Sequence, residues 1–436
     1  MGPTIRKGAF TLALLGAATL ATTVPAAAQG APGGPDRAFS TPIAHASAQA
    51  RKAVSAAGLR AGLSRLFRRV GKSGAMVIDP ATEKVLFARK ARRARILASN
   101  TKLFTTAAAL AQFEPDGRLH TTALSTDDVS DGVSQGLYLR GGGDPTLTTA
   151  GLNRLADRVR AAGVDSVLGP LRYDDSFLDR QTGIPQHGIS RERVGTLSAL
   201  TLDGGSPGDP AKLAAQRFLD ALRREGISIG TSVTPAVVPS SAVQVADFGS
   251  PTMADLARDT NVPSNNFLAE MLLKDVGGQF GDSGSTAGGI AAVRRFATQR
   301  GAQFKGENGS GLSRRNRASP ASVVELLESM VEVDENKTPE EQADQRRLRD
   351  AWIRSLAVAG RSGTLARRMR GTAARGSCFA KTGTLNRVST LSGYCFRGPR
   401  DGAHAVIFSL LMNRVDVGRA HLVQDRMTAL MARYSR

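Results

Sequence analysis

Ser99 and Lys102, in the stretch "ILASNTKLFTTAAAL", are the first residues in this 436-residue sequence whose types and spacing could do chemistry. Apolar Leu103, Ala107 and Leu110 follow helical spacing, so the stretch predicts a helix with Ser99 near its start. Residues three apart on a helix share a face. A serine hydroxyl is a weak nucleophile until a base takes its proton. A lysine is such a base only when neutral, and desolvation or nearby positive charge drives it toward that state. The start of a helix also turns the Ser99 N–H toward a developing oxyanion. The plainer reading makes Ser99 a helix cap, and the pair alone does not choose between them.

Two further triplets do. "NVPSNNFLAEMLL" holds Ser264-Asn265-Asn266, and "FAKTGTL" holds Lys381-Thr382-Gly383 on a predicted strand. The order S-x-x-K, S-x-N, K-T-G is the three-part signature of penicillin-binding proteins and serine β-lactamases. "LYLRGGGDPTL", "GSGLSR", "GRSGTLARRMRGT" and "AKTGTLNRVSTLSGY" extend the likeness over roughly residues 70–430. Across that span the chain resembles the D-alanyl-D-alanine carboxypeptidase/endopeptidase family, low-molecular-mass class C penicillin-binding proteins with an inserted domain. It departs from the family in having Leu97 where proline is usual before Ala98-Ser99, and Asn308 where aspartate is usual before Gly309-Ser310-Gly311.

The resemblance implies roles. Ser99 attacks the carbonyl of a terminal D-Ala-D-Ala and becomes acylated, while Lys102 accepts its proton. Ser264 relays a proton to the leaving amine, with Lys381 tuning that hydroxyl. Asn266 bonds the peptide and Lys102. Lys381 and Thr382 hold the terminal carboxylate beside Gly383, and the N–H groups of Ser99 and Thr384 form the oxyanion hole. Neither metal nor cofactor is required. Ser264 and Lys381 also have plainer readings, as a helix cap and an exposed strand lysine.

The elements that must position these residues follow from the rest of the chain. The implied fold is α+β, an α/β/α sandwich: an antiparallel five-stranded sheet with helices on both faces, the transpeptidase domain of penicillin-binding proteins and serine β-lactamases. Ser264 follows Ser99 by 165 residues, about a hundred more than a compact class A β-lactamase needs. The excess matches a change of texture over residues 120–241. There strand-like "VLGPLRYDDSF" and "VGTLSALTLD" alternate with helical "GLNRLADRVRAAGV" and "DPAKLAAQRFLDALRREGI", the last capped by Asp209 with Pro210 behind it. We therefore expect catalytic segments at 29–119 and 242–436 flanking a smaller inserted α+β domain at 120–241. The charged segment 332–348 reads as a loop. "GGGDP" at 141–145 and Gly71-Lys72-Ser73 lack the phosphate-loop pattern. The run "RKARRAR" at 89–95 is either a solvated connector or a polyanion-binding patch.

Cys378 and Cys395 flank "FAKTGTLNRVSTLSGY". A two-residue turn at Asn386-Arg387 sets them directly opposite each other across a hairpin, close enough to bond if the pair is of the non-hydrogen-bonded kind. Two free thiols are the alternative. The N-terminus carries Arg6 and Lys7, the apolar run "GAFTLALLGAATLATTV" and Ala26-Ala27-Ala28. Residues 1–28 thus read as a secretory signal peptide, which permits a disulfide and places the protein in the periplasm or outside the cell.

Hydrophobic residues make up 41% and charged residues 22% of the chain, as in a soluble globular protein, with a net charge of +20. For an exported chain such a charge faces an acidic envelope rather than nucleic acid, and membrane association is at most peripheral. The five histidines are scattered, which gives a Ser-His-Asp triad little support. Three functions compete: a DD-peptidase acting on peptidoglycan peptides that end in D-Ala-D-Ala and acylated by β-lactam antibiotics; a serine β-lactamase; and a catalytically retired wall-binding protein. The glutamate loop E-x-x-L-N of class A β-lactamases is absent before K-T-G.

Overall fold

A computed structural model of the chain describes residues 53–436 except 69, 180–193 and 206–207. The expected signal peptide lies outside the described residues.

The main sheet is antiparallel throughout. Its order is Ala357–Val358, Cys378–Leu385, Val388–Phe396, Ala405–Asn413, Lys72–Asp79 and Lys84–Arg89. It therefore has six strands where five were expected. The additional one is the two-residue edge at Ala357–Val358, too short to show as a strand in the sequence. Alternate side chains of the strand "AVIFSLLMN" enter opposite cores. Val406, Phe408, Leu410 and Met412 pack with Leu59, Leu63, Met427 and Met431 from helices Ala56–Phe67 and Val417–Met431. Ile407 and Leu411 join the other core, with residues of helices Thr101–Phe113, Met253–Asn261, Asn266–Phe280, Thr286–Gln299 and Pro320–Ser329. Both faces are buried, so the strand reads as a nearly unbroken apolar run. The architecture is the expected α/β/α sandwich.

A second sheet has its own hydrophobic core. Its order is Val243–Gly249, His120–Ser125, Leu137–Gly141, Leu171–Asp174 and Val233–Pro235, the first two junctions antiparallel and the last two parallel. Helices Thr149–Ala161 and Pro210–Arg224 cover it, and Asp209 caps the second of these through the Lys212 N–H. The strand Val243–Gly249 lies past residue 241.

Two sequence expectations fail, the first in part. Residues 332–338 are a loop as expected, but 339–348 are helix. Thr338 and Glu341 form a reciprocal capping box, Pro339 starts a helix running to Arg354, and Ala351, Trp352 and Ile353 anchor its end in the core. "VGTLSALTLD" is not a strand over its described length. Its apolar residues are buried in a loop around the "GGGDP" turn, with the Gly143 N–H bonded to Ala199 O and the Asp203 N–H to Leu147 O.

The cysteine expectation holds. The hairpin turns at Asn386-Arg387, pairs Cys378 with Cys395, and the two are disulfide-bonded. The Phe396 N–H bonds Ser377 O at 2.9 Å, so the neighbouring cysteine pair is the non-hydrogen-bonded one. We predict that a Cys378→Ser/Cys395→Ser protein is less stable by about 3 kcal/mol, the closure entropy of a loop this long. Denaturant titration against the oxidised wild type measures it, and an unchanged midpoint would contradict the expectation.

Candidate active site

Ser99 sits in a short 3-10 turn, Ala98–Asn100, that runs directly into helix Thr101–Phe113. It does not cap that helix: the N-cap position belongs to Asn100, which makes no side-chain capping bond. Ala98 has φ +47°, a left-handed backbone that a residue with a Cβ rarely adopts. Three groups hold this turn. Asn100, fully buried, donates to Lys381 O at 2.8 Å and accepts from Ser392 Oγ at 2.8 Å. Thr101 Oγ1 donates to Ala98 O at 2.8 Å. Gly311, with φ +87°, lies so close that a Cβ there would be 1.9 Å from Ala98 O.

Helix geometry then carries Lys102 beneath Ser99. Its Nζ is 3.3 Å from Ser99 Oγ, 2.8 Å from Asn266 Oδ1 and 2.6 Å from Ser310 O. The side chain is completely buried. Burial pushes its pKa down to about 7, opposed by the nearby Glu270 carboxylate. A buried ammonium is costly even among acceptors, so the proton is held weakly enough to be exchanged near neutral pH.

Asn266 and Glu270 stand one turn apart on helix Asn266–Phe280, on one face. Glu270 is also fully buried and accepts from the Gly309 N–H at 3.0 Å and the Ser310 N–H at 2.8 Å. It thereby fixes the loop whose carbonyl faces Lys102. Asn308, at the start of that loop, accepts from the Gly311 N–H at 3.1 Å, while its own buried Nδ2 has no partner among the described residues. The amide in place of a carboxylate thus leaves one donor unsatisfied.

Strand Cys378–Leu385 forms the opposite wall. Lys381 is completely buried, and desolvation together with the positive charge of Lys102 lowers its pKa well below that of a free lysine. It is therefore not an exposed strand lysine; its Nζ donates to Thr382 O at 3.0 Å. A Cβ on Gly383 would fall 2.8 Å from Ser99 N and 2.9 Å from Leu97 O, so only glycine lets the strand approach the serine turn. Leu385 and Val388 flank the two-residue turn as a hydrogen-bonded pair, so Thr384 opposite Ser389 belongs to a non-hydrogen-bonded pair. The Thr384 N–H therefore points away from the partner strand.

Ser264 sits at φ +67° in the turn before helix Asn266–Phe280. The cap of that helix is Asn265, which accepts from the Leu268 N–H. Ser264 is thus left out of capping, and no hydrogen bond joins it to the other site residues among those described. The "GRSGTL" segment ties its turn to the K-T-G strand: the Thr364 N–H bonds Val262 O at 3.1 Å, and Thr382 Oγ1 donates to Thr364 Oγ1 at 2.8 Å.

The structure thus joins Ser99, Lys102 and Asn266 by hydrogen bonds and sets Lys381 electrostatically beside Lys102. Asn100, Glu270 and Thr364 are additions that the motifs do not name. Among the described residues no three His, Cys, Asp or Glu side chains converge as metal ligands, and no helix is long and apolar enough to cross a membrane.

Comparison with known proteins agrees with this geometry. A penicillin-binding protein 4 (dacB) from Haemophilus influenzae superposes with a TM-score of 0.68 at 18% identity, covering 84% of this chain and 97% of that one. A curated D-alanyl-D-alanine carboxypeptidase from an Actinomadura species is 30% identical over 455 aligned positions, 83% of this chain and 81% of the relative. Carboxypeptidase DacB of Mycolicibacterium smegmatis is 28% identical over 73% of this chain and 72% of its own length. The sequence pattern of the D-Ala-D-Ala carboxypeptidase 3 (S13) family matches residues 68–207 and 205–434, and the chain belongs to that family of serine DD-peptidases.

Proposed function

We propose that the protein hydrolyses peptidoglycan stem peptides ending in D-Ala-D-Ala, through an ester on Ser99. The observation that carries this is the buried Lys102 Nζ 3.3 Å from Ser99 Oγ, with its pKa pushed down to about 7. Ser99 Oγ attacks the carbonyl carbon of the penultimate D-alanine as its proton passes to Lys102. The N–H groups of Ser99 and Thr384 stabilise the oxyanion. When the C–N bond breaks, the leaving D-alanine amine takes, through Ser264, the proton that Lys102 had accepted, which leaves Lys102 neutral. Water then attacks the ester carbonyl as Lys102 takes its proton; the bond to Ser99 Oγ breaks and Lys102 returns that proton to the serine. Asn266 Nδ2 is free of Lys102, which uses only Oδ1, and so can bind the substrate peptide. Lys381 and Thr382 receive the terminal carboxylate. A β-lactam enters the same cycle and stops at the ester. We further propose that the protein is exported to the cell envelope, and that residues 120–249, with the second sheet, are an insertion in the catalytic domain.

The test is digestion of purified peptidoglycan with mass analysis of the products, beside labelling with a tagged penicillin. Release of D-alanine supports a carboxypeptidase, and loss of cross-links an endopeptidase. Absence of both, with no penicillin adduct, would sink the proposal, and rapid penicillin turnover would point to a β-lactamase.

Glu270 gives a separate prediction. Glu270→Gln replaces one of the two oxygens that receive the Gly309 and Ser310 N–H groups with a donor, and removes the charge that holds the Lys102 pKa up. Penicillin acylation should slow by about 10²-fold, the effect of misplacing a catalytic group by an ångström. Its pH inflection should also move lower. Stopped-flow acylation across pH reads both, and an unchanged inflection would remove Glu270 from this role.

A further inference from the structure

The basic run Arg89–Arg95 takes no part in the reaction. In the structure it leaves strand Lys84–Arg89, turns through exposed Lys90, Arg92 and Arg93, and enters the short strand Arg95–Ile96. There Arg95 meets cations from three other parts of the chain. Lys72, Arg95, Arg314, Arg317 and Arg414 line one cavity of about 340 Å³, and no carboxylate lines it. None of the five stands in an ion pair among the described residues. The acid nearest in sequence, Asp416, caps helix Val417–Met431 by accepting from the Arg419 N–H at 2.8 Å; Asp79 is paired with Arg436 and Glu307 with Arg315.

The cavity is built rather than incidental. Arg95 is only 8% exposed. Its Nη1 donates to Ala94 O and its Nη2 to Ser73 O, while its buried Nε has no acceptor among the described residues. Asn413 clamps the floor, accepting from the Ile96 N–H at 2.9 Å and donating to Ile96 O at 3.2 Å. Arg314 is braced against Asn386 O at 3.1 Å, on the turn of the K-T-G hairpin. Such preorganisation lowers the cost of binding. A desolvated guanidinium among four exposed cations, with no carboxylate among the described lining residues, creates a focused positive potential.

We propose that this cavity binds the phosphodiester groups of an anionic polymer. Arginine forks match phosphate oxygens in bidentate geometry, and four of the five cations are arginines. A diester carries one charge per group and continues on both sides, so exposed Lys72, Arg314, Arg317 and Arg414 can follow it across the rim. A lipid surface fits less well, because it needs exposed apolar side chains to insert. The only apolar lining here is Ala94 and the buried Ile96. Ile96 lies three residues before Ser99, so a polymer held here is tethered beside the catalytic turn. The binding test stands apart from the reaction, so failure of either leaves the other measurable.

The probe is long-chain inorganic polyphosphate, with affinity read by fluorescence anisotropy at low and physiological salt. The wild type should bind, more weakly as salt rises. Arg317→Ala/Arg414→Ala should weaken binding at least about tenfold. Lys212→Ala/Arg217→Ala removes the same charge from the exposed face of helix Pro210–Arg224 and should change it less than about twofold. Both should keep penicillin labelling. If the first pair fails to fold, Arg314→Gln with the same readout takes its place. No binding by the wild type, or equal weakening by both pairs, overturns the proposal. So does equally tight, Arg317- and Arg414-dependent binding to phosphatidylglycerol vesicles, which would assign the cavity to a lipid headgroup.

Discussion

Ser99→Ala is expected to fold like the wild type, form no covalent adduct with penicillin, and lose about 10⁴-fold or more of its DD-peptidase rate, the scale for removing an acylated serine. The separation of folding from activity follows from how the turn is held. Its fixed points are Asn100, bonded to Lys381 O and Ser392, Thr101, bonded to Ala98 O, and Gly311 packed on Ala98. The Ser99 hydroxyl contributes one 3.3 Å contact, to Lys102. Intact-protein mass spectrometry after incubation with penicillin is the measurement, with thermal unfolding as the control. An adduct of unchanged yield on the alanine protein would identify a different nucleophile. Asn100→Ala should behave in the opposite way. It leaves Ser99 in place but strips the turn of its buried anchor to the sheet, so stability and acylation should fall together.

That contrast also marks what the sequence could reveal. Ser99 and Lys102 were legible because one helical turn joins them. The disulfide was legible because a two-residue turn fixes hairpin register. Asn100 and Glu270 act through contacts across the fold, with partners 281 and 39 residues away, and no local pattern announces them. Glu270 did leave a trace: it stands four residues after Asn266, on the same helical face, as an acid in an otherwise apolar stretch. The helix at Pro339–Arg354 was missed by the reading of 332–348 as a loop, although Thr338-Pro339 and Glu341 carry its start signal. Its polar surface hid it, because only its last turn is buried. "VGTLSALTLD" misled for the converse reason. Its apolar residues serve packing around a turn, and periodicity does not distinguish a buried loop from a buried strand.

The second large effect concerns Lys102. With Lys102 as the proposed base, acylation needs its neutral form, and burial pushes its pKa down to about 7. The second-order rate of penicillin acylation should therefore rise about tenfold per pH unit below that value and level off above it. A flat profile from acid to alkaline pH would dismiss Lys102 as the base. Lys102→Met should lose about 10³-fold, within the usual range for a general base, and Lys102→Arg should be no better, since a guanidinium keeps its proton. The same burial sets a stability signature. Between about 7 and the ordinary lysine value of 10.5 the unfolded chain holds a proton that the folded one has released. Stability must then increase with pH through that window and lose this contribution below it. A shift of this size corresponds to about 5 kcal/mol at full extent. Lys381, also displaced downward, adds a contribution of the same sign. Lys102→Met removes the first contribution and relieves Lys381 of a neighbouring charge. Its unfolding midpoint should accordingly climb less steeply than that of the wild type from pH 7 to 9, and parallel curves would mean that Lys102 is not the titrating group.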